Sequence, residues 1–233
     1  MKSHFLAAAI VMISVSAQAE PEAALIPIDR TVVRFFSRDG DGIDHPNYIT
    51  EHIVAFEARL VELEQESFGR PFDASTFHLP VPQRAAIRSS IDTHIAETLV
   101  VALPMQSPPS SAVISQRVAW MRKSLAESVG SEAALQQAAA AEGIGPDDID
   151  ALVYRETLAA IYIDHHSTPI FDIPIDQLRA AFASYSDRFK KTDFTAVRDT
   201  FSRWLARQRL RAAEMAFFQQ ARSRVHVSII TDR

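Results

Sequence analysis

The tripeptide Asp164-His165-His166 concentrates more potential chemistry than any other stretch of this chain. A carboxylate and two imidazoles are ligands for manganese or zinc. Such a centre would serve metal-assisted hydrolysis of a phosphate ester. That reaction needs further Asp ligands on other strands of a parallel sheet, and the residues leading into the tripeptide read as helix. The expected place of Asp164-His165-His166 is therefore a solvated helix end, where histidine suits the negative pole of the helix dipole. Arg38-Asp39-Gly40-Asp41-Gly42-Ile43 has the spacing of the middle of a calcium loop. Extending that loop puts Ser37 at its first position and Tyr48 where a bidentate Glu is needed. Both end ligands fail, and a β-turn built from Asp and Gly is expected instead.

Other chemistry is excluded or unsupported. There are no cysteines, hence no thiolate nucleophile, no disulfide and no Cys-based zinc site. The remaining histidines, His45, His52, His78, His94 and His226, lack His-Glu-x-x-His spacing. No Gly-x-Ser-x-Gly elbow is present, and 6 glycines in 233 residues leave little for a phosphate-cradling loop. Glu62, Glu64 and Glu66 alternate along a helix, point in different directions, and read as solvated. Arg203–Arg211 (RWLARQRLR) could meet an anionic surface, but in a chain of net charge −5 it reads as the wet side of the last helix. The same acidity argues against a nucleic-acid partner. No catalytic residue, metal or cofactor is expected.

The composition, 47% hydrophobic and 23% charged, supports a packed core. Residues 1–19 (MKSHFLAAAIVMISVSAQA) combine a basic start at Lys2, an apolar run over Phe5–Val15 and the small-x-small end Ala17-Gln18-Ala19. This order predicts a secretory signal cut before Glu20. Its apolar run is short for a permanent membrane anchor. Loss of Lys2 takes the net charge from −5 to −6. The mature protein, residues 20–233, is then a single domain without an integral membrane segment, and a periplasmic location is expected.

The elements that must position any site are mostly helical. Asp29–Ser37, rich in β-branched and aromatic residues, predicts a strand, and His45–Thr50 a short return. Thr50 is expected to cap a helix to about Ser67 with Ile53, Phe56, Leu60 and Leu63 on one face. A Pro-rich loop over Gly69–Pro82 precedes helices at Gln83–Leu103 and Ala112–Ser128. Then comes SEAALQQAAAAE, with Ser131 as cap and Gly143 as the left-handed residue that ends it. Gly145-Pro146 opens the next helix, with Asp147 and Asp148 in its first turn. Its apolar stripe, Ile149, Leu152, Val153, Ala160 and Ile163, is broken once by charge, at Glu156. Helices at Ile175–Tyr185 and Phe194–Ser223 follow, and Arg224–Ile230 predicts a closing strand. A lone strand is unstable, so Val32–Phe36 and Val225–Ile230 are expected to pair.

The helix, the Gly143-Ile144-Gly145-Pro146-Asp147-Asp148 join and the following long helix resemble the N-terminal domain of SurA-like periplasmic chaperones. The Tyr48-Ile49-Thr50 step into the first helix and the Ile175-Asp176-Gln177-Leu178 start extend the resemblance over most of the mature chain. It differs in its longer, more acidic first turn, and no block of ~100 residues remains for a parvulin-type isomerase domain. The resemblance implies a mainly α, multi-helix SurA N-terminal-like domain whose short N- and C-terminal strands pair. It further implies an ATP-independent chaperone that captures unfolded or extended envelope-protein segments in a cleft between helices. Expected client contacts are Met105, Trp120, Met121, Phe217 and Phe218, since flexible Met and aromatic side chains suit promiscuous binding. Phe217 and Phe218 are adjacent, so one helix cannot point both the same way. The competing readings are an isomerase-related foldase, a metal hydrolase at Asp164-His165-His166, and an envelope assembly partner, including a homo-oligomer that exchanges its last helix.

Overall fold

The structure, a computed structural model, describes residues 30–37, 46–67, 77–185 and 193–230. The leader expected at 1–19 and the acidic turn at 38–43 lie outside these residues. The elements run β1 (Thr31–Ser37), β2 (Asn47–Thr50), α1 (Glu51–Ser67), α2 (Arg84–Val101), α3 (Ser111–Ser128) and α4 (Glu132–Ala141). They continue with α5 (Pro146–His166), α6 (Ile175–Ser184), α7 (Phe194–Ala221), a 3-10 turn (Arg222–Arg224) and β3 (Val225–Ile229). The chain is mainly helical with a small antiparallel sheet in the order β2-β1-β3. Both segments expected to pair do so: Val33 faces Ile229 and Phe35 faces Val227.

Local chemistry explains the helix ends. The Ser131 hydroxyl accepts the Ala134 N–H at 3.0 Å and caps α4. At the other end Ile144 N donates to Ala139 O at 2.9 Å and Gly143 N to Ala140 O at 3.2 Å. These two bonds form a Schellman closure, which requires the φ of +69° that Gly143 adopts. The Gly145 N–H donates to Asp148 Oδ2 at 3.0 Å, so the acid in the first turn of α5 secures its own start. Thr50 departs from expectation. Its hydroxyl oxygen is buried without a hydrogen-bond partner, and the first N–H of α1, from Glu51, is taken by Arg30 O at 2.8 Å. Pairing of Thr50 within the sheet competes with side-chain capping.

Two apolar clusters form the core. The larger gathers Phe56, Leu60, Met121, Leu125, Leu135, Ile149, Phe201 and Leu210 from five helices. The smaller sits between the sheet and α1, α2 and α7, with Val33, Phe35, Ile49, Val54, Ile95 and Phe218. On α2 and α7 the buried carboxylates Glu97 and Glu214 fall between residues of the two clusters. Buried charge thus interrupts the apolar packing along both helices.

Because β3 covers one side of β1, removing residues 224–233 should destabilise the whole fold. The deletion bares the backbone of β1 and flanks two wholly buried side chains, Val33 and Phe35. Partial exposure of such groups costs about 2–3 kcal/mol. A lower urea midpoint for the truncated chain is the expected result, and an unchanged midpoint would show that the last strand contributes nothing.

Candidate functional site

Asp164-His165-His166 closes α5, as the helical reading requires, and its groups are engaged locally. Asp164 Oδ1 accepts the N–H of Ile170 at 2.6 Å and of Phe171 at 3.1 Å, so the carboxylate shapes the loop after α5. The His166 ring stacks on Tyr162 with centroids 4.1 Å apart. Among the described residues no group of three or more His, Asp or Glu side chains is arranged to hold a metal ion.

The expected client contacts are dispersed. Met121 is wholly buried in the larger cluster, because α3 packs against α5 and α7 there, and it lies on no surface a client can reach. Met105, Trp120 and Phe217 are half-buried against that same cluster, and Trp120 meets Phe171 edge-on. Phe218 points instead into the sheet cluster. The adjacent aromatics therefore serve two different cores, which answers the geometric question their adjacency posed.

Two charge readings are corrected. Glu64 is buried, not solvated, and Arg207 is 4% exposed, in the middle of the helix face expected to be wet. The Arg207 guanidinium donates to Glu156 Oε1 at 2.7 Å and to Glu64 Oε1 at 2.6 Å. Arg211 pairs with the other Glu64 oxygen, and Ser128 Oγ donates to Glu64 at 2.9 Å. Beside this set, Arg155 bridges Glu97 at 2.7 Å and Glu57 at 2.5 Å, and His94 meets Glu57 at 2.8 Å. Burial by itself would raise Glu64, yet Arg207 and Arg211 hold it below the usual carboxylate range. Burial pushes Glu214 well above that range, and the charges of Glu97 and Glu156 add to the effect. Glu156 Oε2 and Glu214 Oε1 have no hydrogen-bond partner and border a cavity of about 60 Å³. That volume suits about two water molecules, each with 2–4 polar partners. It does not suit a substrate.

A more accessible site follows from the sheet. Residues that face each other across antiparallel strands share a face, so Val227 and Ile229 lie on the same side as Phe35 and Val33. The helices cover that side over β1 but not over β3. Val33 is 0% exposed, whereas its neighbour Ile229 is 67% exposed and Val227 37%. The uncovered apolar face borders two adjoining grooves of about 790 and 420 Å³, which share Ile87, Ile91 and Ile229. Phe218 and Val225 complete the apolar floor of the larger one. Among the described residues its rim carries Arg84, Arg88 and Arg222 against one acid, Asp92. Burial raises the Asp92 carboxyl even though Arg88 and Arg222 oppose the shift.

A separate groove of about 600 Å³ runs between α3 and α5, with Ile114, Val118 and Tyr154 on its walls. Its rim arginine, Arg122, is already committed to Asp150 at 2.6 Å and Glu132 at 2.7 Å. The groove along α2 and β3 is the stronger candidate, because it joins apolar surface, a rim richer in arginine than in acid and a strand edge. Strand propensity at 225–230 was visible in the sequence, but nothing local signalled that α2 would stop short of covering it.

Among the described residues no helix is long and apolar enough to cross a membrane. Comparisons with family models, with curated proteins and with solved structures return no match to this chain.

Proposed function

We propose that this chain is an exported, ATP-independent chaperone-like protein that captures extended apolar segments of unfolded envelope proteins. The reading rests on the leader-like pattern of residues 1–19 and on the SurA-like helix order. The structural observation that supports it is the apolar face of β3 left open beside α2. A groove of this size suits a few side chains of an extended chain. Binding the unfolded state lowers the concentration of free aggregating chain, and mass action alone supplies the protective effect.

The test is light scattering by an unfolded outer-membrane protein diluted into buffer with and without the mature protein. Delayed aggregation without ATP is expected. Ile229→Asp should weaken protection with little change in melting temperature, since Ile229 is largely exposed already. Absence of protection at several-fold molar excess would end this reading. A parallel proline-limited refolding assay should show no acceleration; clear acceleration would move the protein to the isomerase class.

A further inference from the structure

We propose that β3 is a strand-addition site for an extended polypeptide segment with apolar residues at alternate positions and acidic residues on the same face. The proposal rests on the polypeptide-capture reading above and gives it a binding mode. The ladder between β1 and β3 decides which backbone groups are free. Ile230 N donates to Val32 O at 2.8 Å, and the pairing advances in steps that oppose Arg34 to Ser228 and Phe36 to His226. In an antiparallel ladder every second pair exchanges both hydrogen bonds, and the intervening residues direct N–H and C=O outward. The bonded pairs here are the even-numbered ones. Val225, Val227 and Ile229 therefore present their backbone groups to the open edge, and among the described residues β3 has no second partner strand.

The same three residues turn their side chains to the groove side, opposite Ser37, Phe35 and Val33. An added strand would hydrogen-bond with them, and its side chains opposite them would extend the open apolar face that Val227 and Ile229 present beside the grooves. Alternate apolar residues match that face, as in other strand-addition complexes.

Charge selects among such segments. Among the described residues the rim of the larger groove carries three arginines against one aspartate, in a chain of net charge −5. Arg84 and Arg88 occupy the opening turns of α2, whose first turn carries no acid of its own, and the one carboxylate seen at its start, Glu62 of α1, accepts the Gln83 N–H at 3.2 Å. An occupant with Glu or Asp among its groove-facing side chains relieves this repulsion. A second copy does not. Two β3 edges paired antiparallel about a two-fold axis place both helix layers on one side of the joined sheet, and the basic rims then approach each other.

The experiment uses the mature protein and labelled ten-residue peptides with alternating Val and Thr, read by fluorescence anisotropy. A peptide with Glu on its apolar face should bind about tenfold more tightly than its Lys counterpart, through exposed ion pairs with the rim. The preference should shrink as salt rises. Of two peptides N-methylated on alternate residues, one should bind and the other should not. Val227→Pro removes an outward N–H while sparing the ladder to β1, so it should abolish binding yet keep the melting transition. Equal binding of both N-methylated peptides would overturn strand addition. Equal binding of the Glu and Lys peptides would overturn the charge selection. A concentration-dependent dimer that Val227→Pro dissolves would give the edge to a second copy and overturn the proposal. If clients are protected but both N-methylated peptides bind, the chaperone reading survives and this one fails. If the peptide results hold but no client is protected, the site stands and the chaperone reading fails.

Discussion

Arg207→Ala should destabilise the folded protein by about 3–5 kcal/mol, the usual cost of stranding buried charge. Arg207 ties Glu64 of α1 to Glu156 of α5 from its place on α7, and all three side chains are nearly inaccessible. Without the guanidinium, Glu156 loses its charge-assisted bond to Arg207, and its other oxygen already lacks a partner. Glu64 retains Arg211 and Ser128, so the larger share of the loss should fall on Glu156. Adding Glu156→Gln to the alanine variant should recover part of the stability, because the stranded charge is then gone. Urea midpoints of the single and double variants measure both effects. A loss below about 1 kcal/mol, the scale of an exposed pair, would mean that this cluster is not a buried ion network.

Glu214→Gln should have its largest effect at alkaline pH. Burial raises the Glu214 carboxyl, aided by Glu97 on α2 and Glu156 on α5, and Arg207 and Arg211 on its own helix only partly oppose them. The folded state therefore holds a proton that the unfolded state releases near pH 4.5. The sign follows directly. Stability from this group is present below the ordinary carboxylate value and is lost as pH rises toward the raised one. For one proton the slope is at most about 1.4 kcal/mol per pH unit. Glutamine cannot ionise, so the variant should match the parent in acid and exceed it in base. Glu57 and Glu64 act oppositely: burial raises each, but His94 and Arg155 beside Glu57, and Arg207 and Arg211 beside Glu64, leave both lowered. Their contribution is lost in acid, in both proteins alike. Melting temperatures from pH 5 to about pH 9, the upper range of buried carboxyls, provide the test. Parallel curves for parent and variant would refute a protonated Glu214.

The placement of Glu156 was partly legible. It interrupts the apolar stripe of α5, and a charge within a buried stripe signals either a partner or a site. Its partner was not legible, because Arg207 lies 51 residues away. For Arg203–Arg211 the linear reading failed outright. Spacing places Arg207 near Leu210 and Phe218 on α7, but net acidity suggested a wet face. Burial of a charge depends on what another helix brings to it, and no property of α7 alone contains that information. The same holds for Glu64, whose bond to Arg207 spans 143 residues.

The sequence by itself determined the order and nature of the elements. Helix caps at Ser131, Gly143 and Asp148 depend on neighbours within five residues, and apolar periodicity sets the buried stripes. Even the pairing of β1 with β3 was accessible, since the closing segment is β-prone and a lone strand leaves its backbone unsatisfied. Tertiary structure alone decided which faces stayed open. Ile229 and Val33 are both apolar, both in strands and directly opposite each other, yet one is exposed and the other buried. The difference is the reach of α2, whose layer covers the central strand and ends before the edge. Coverage of that kind depends on how separate elements stack in space, whereas pattern and propensity describe one element at a time.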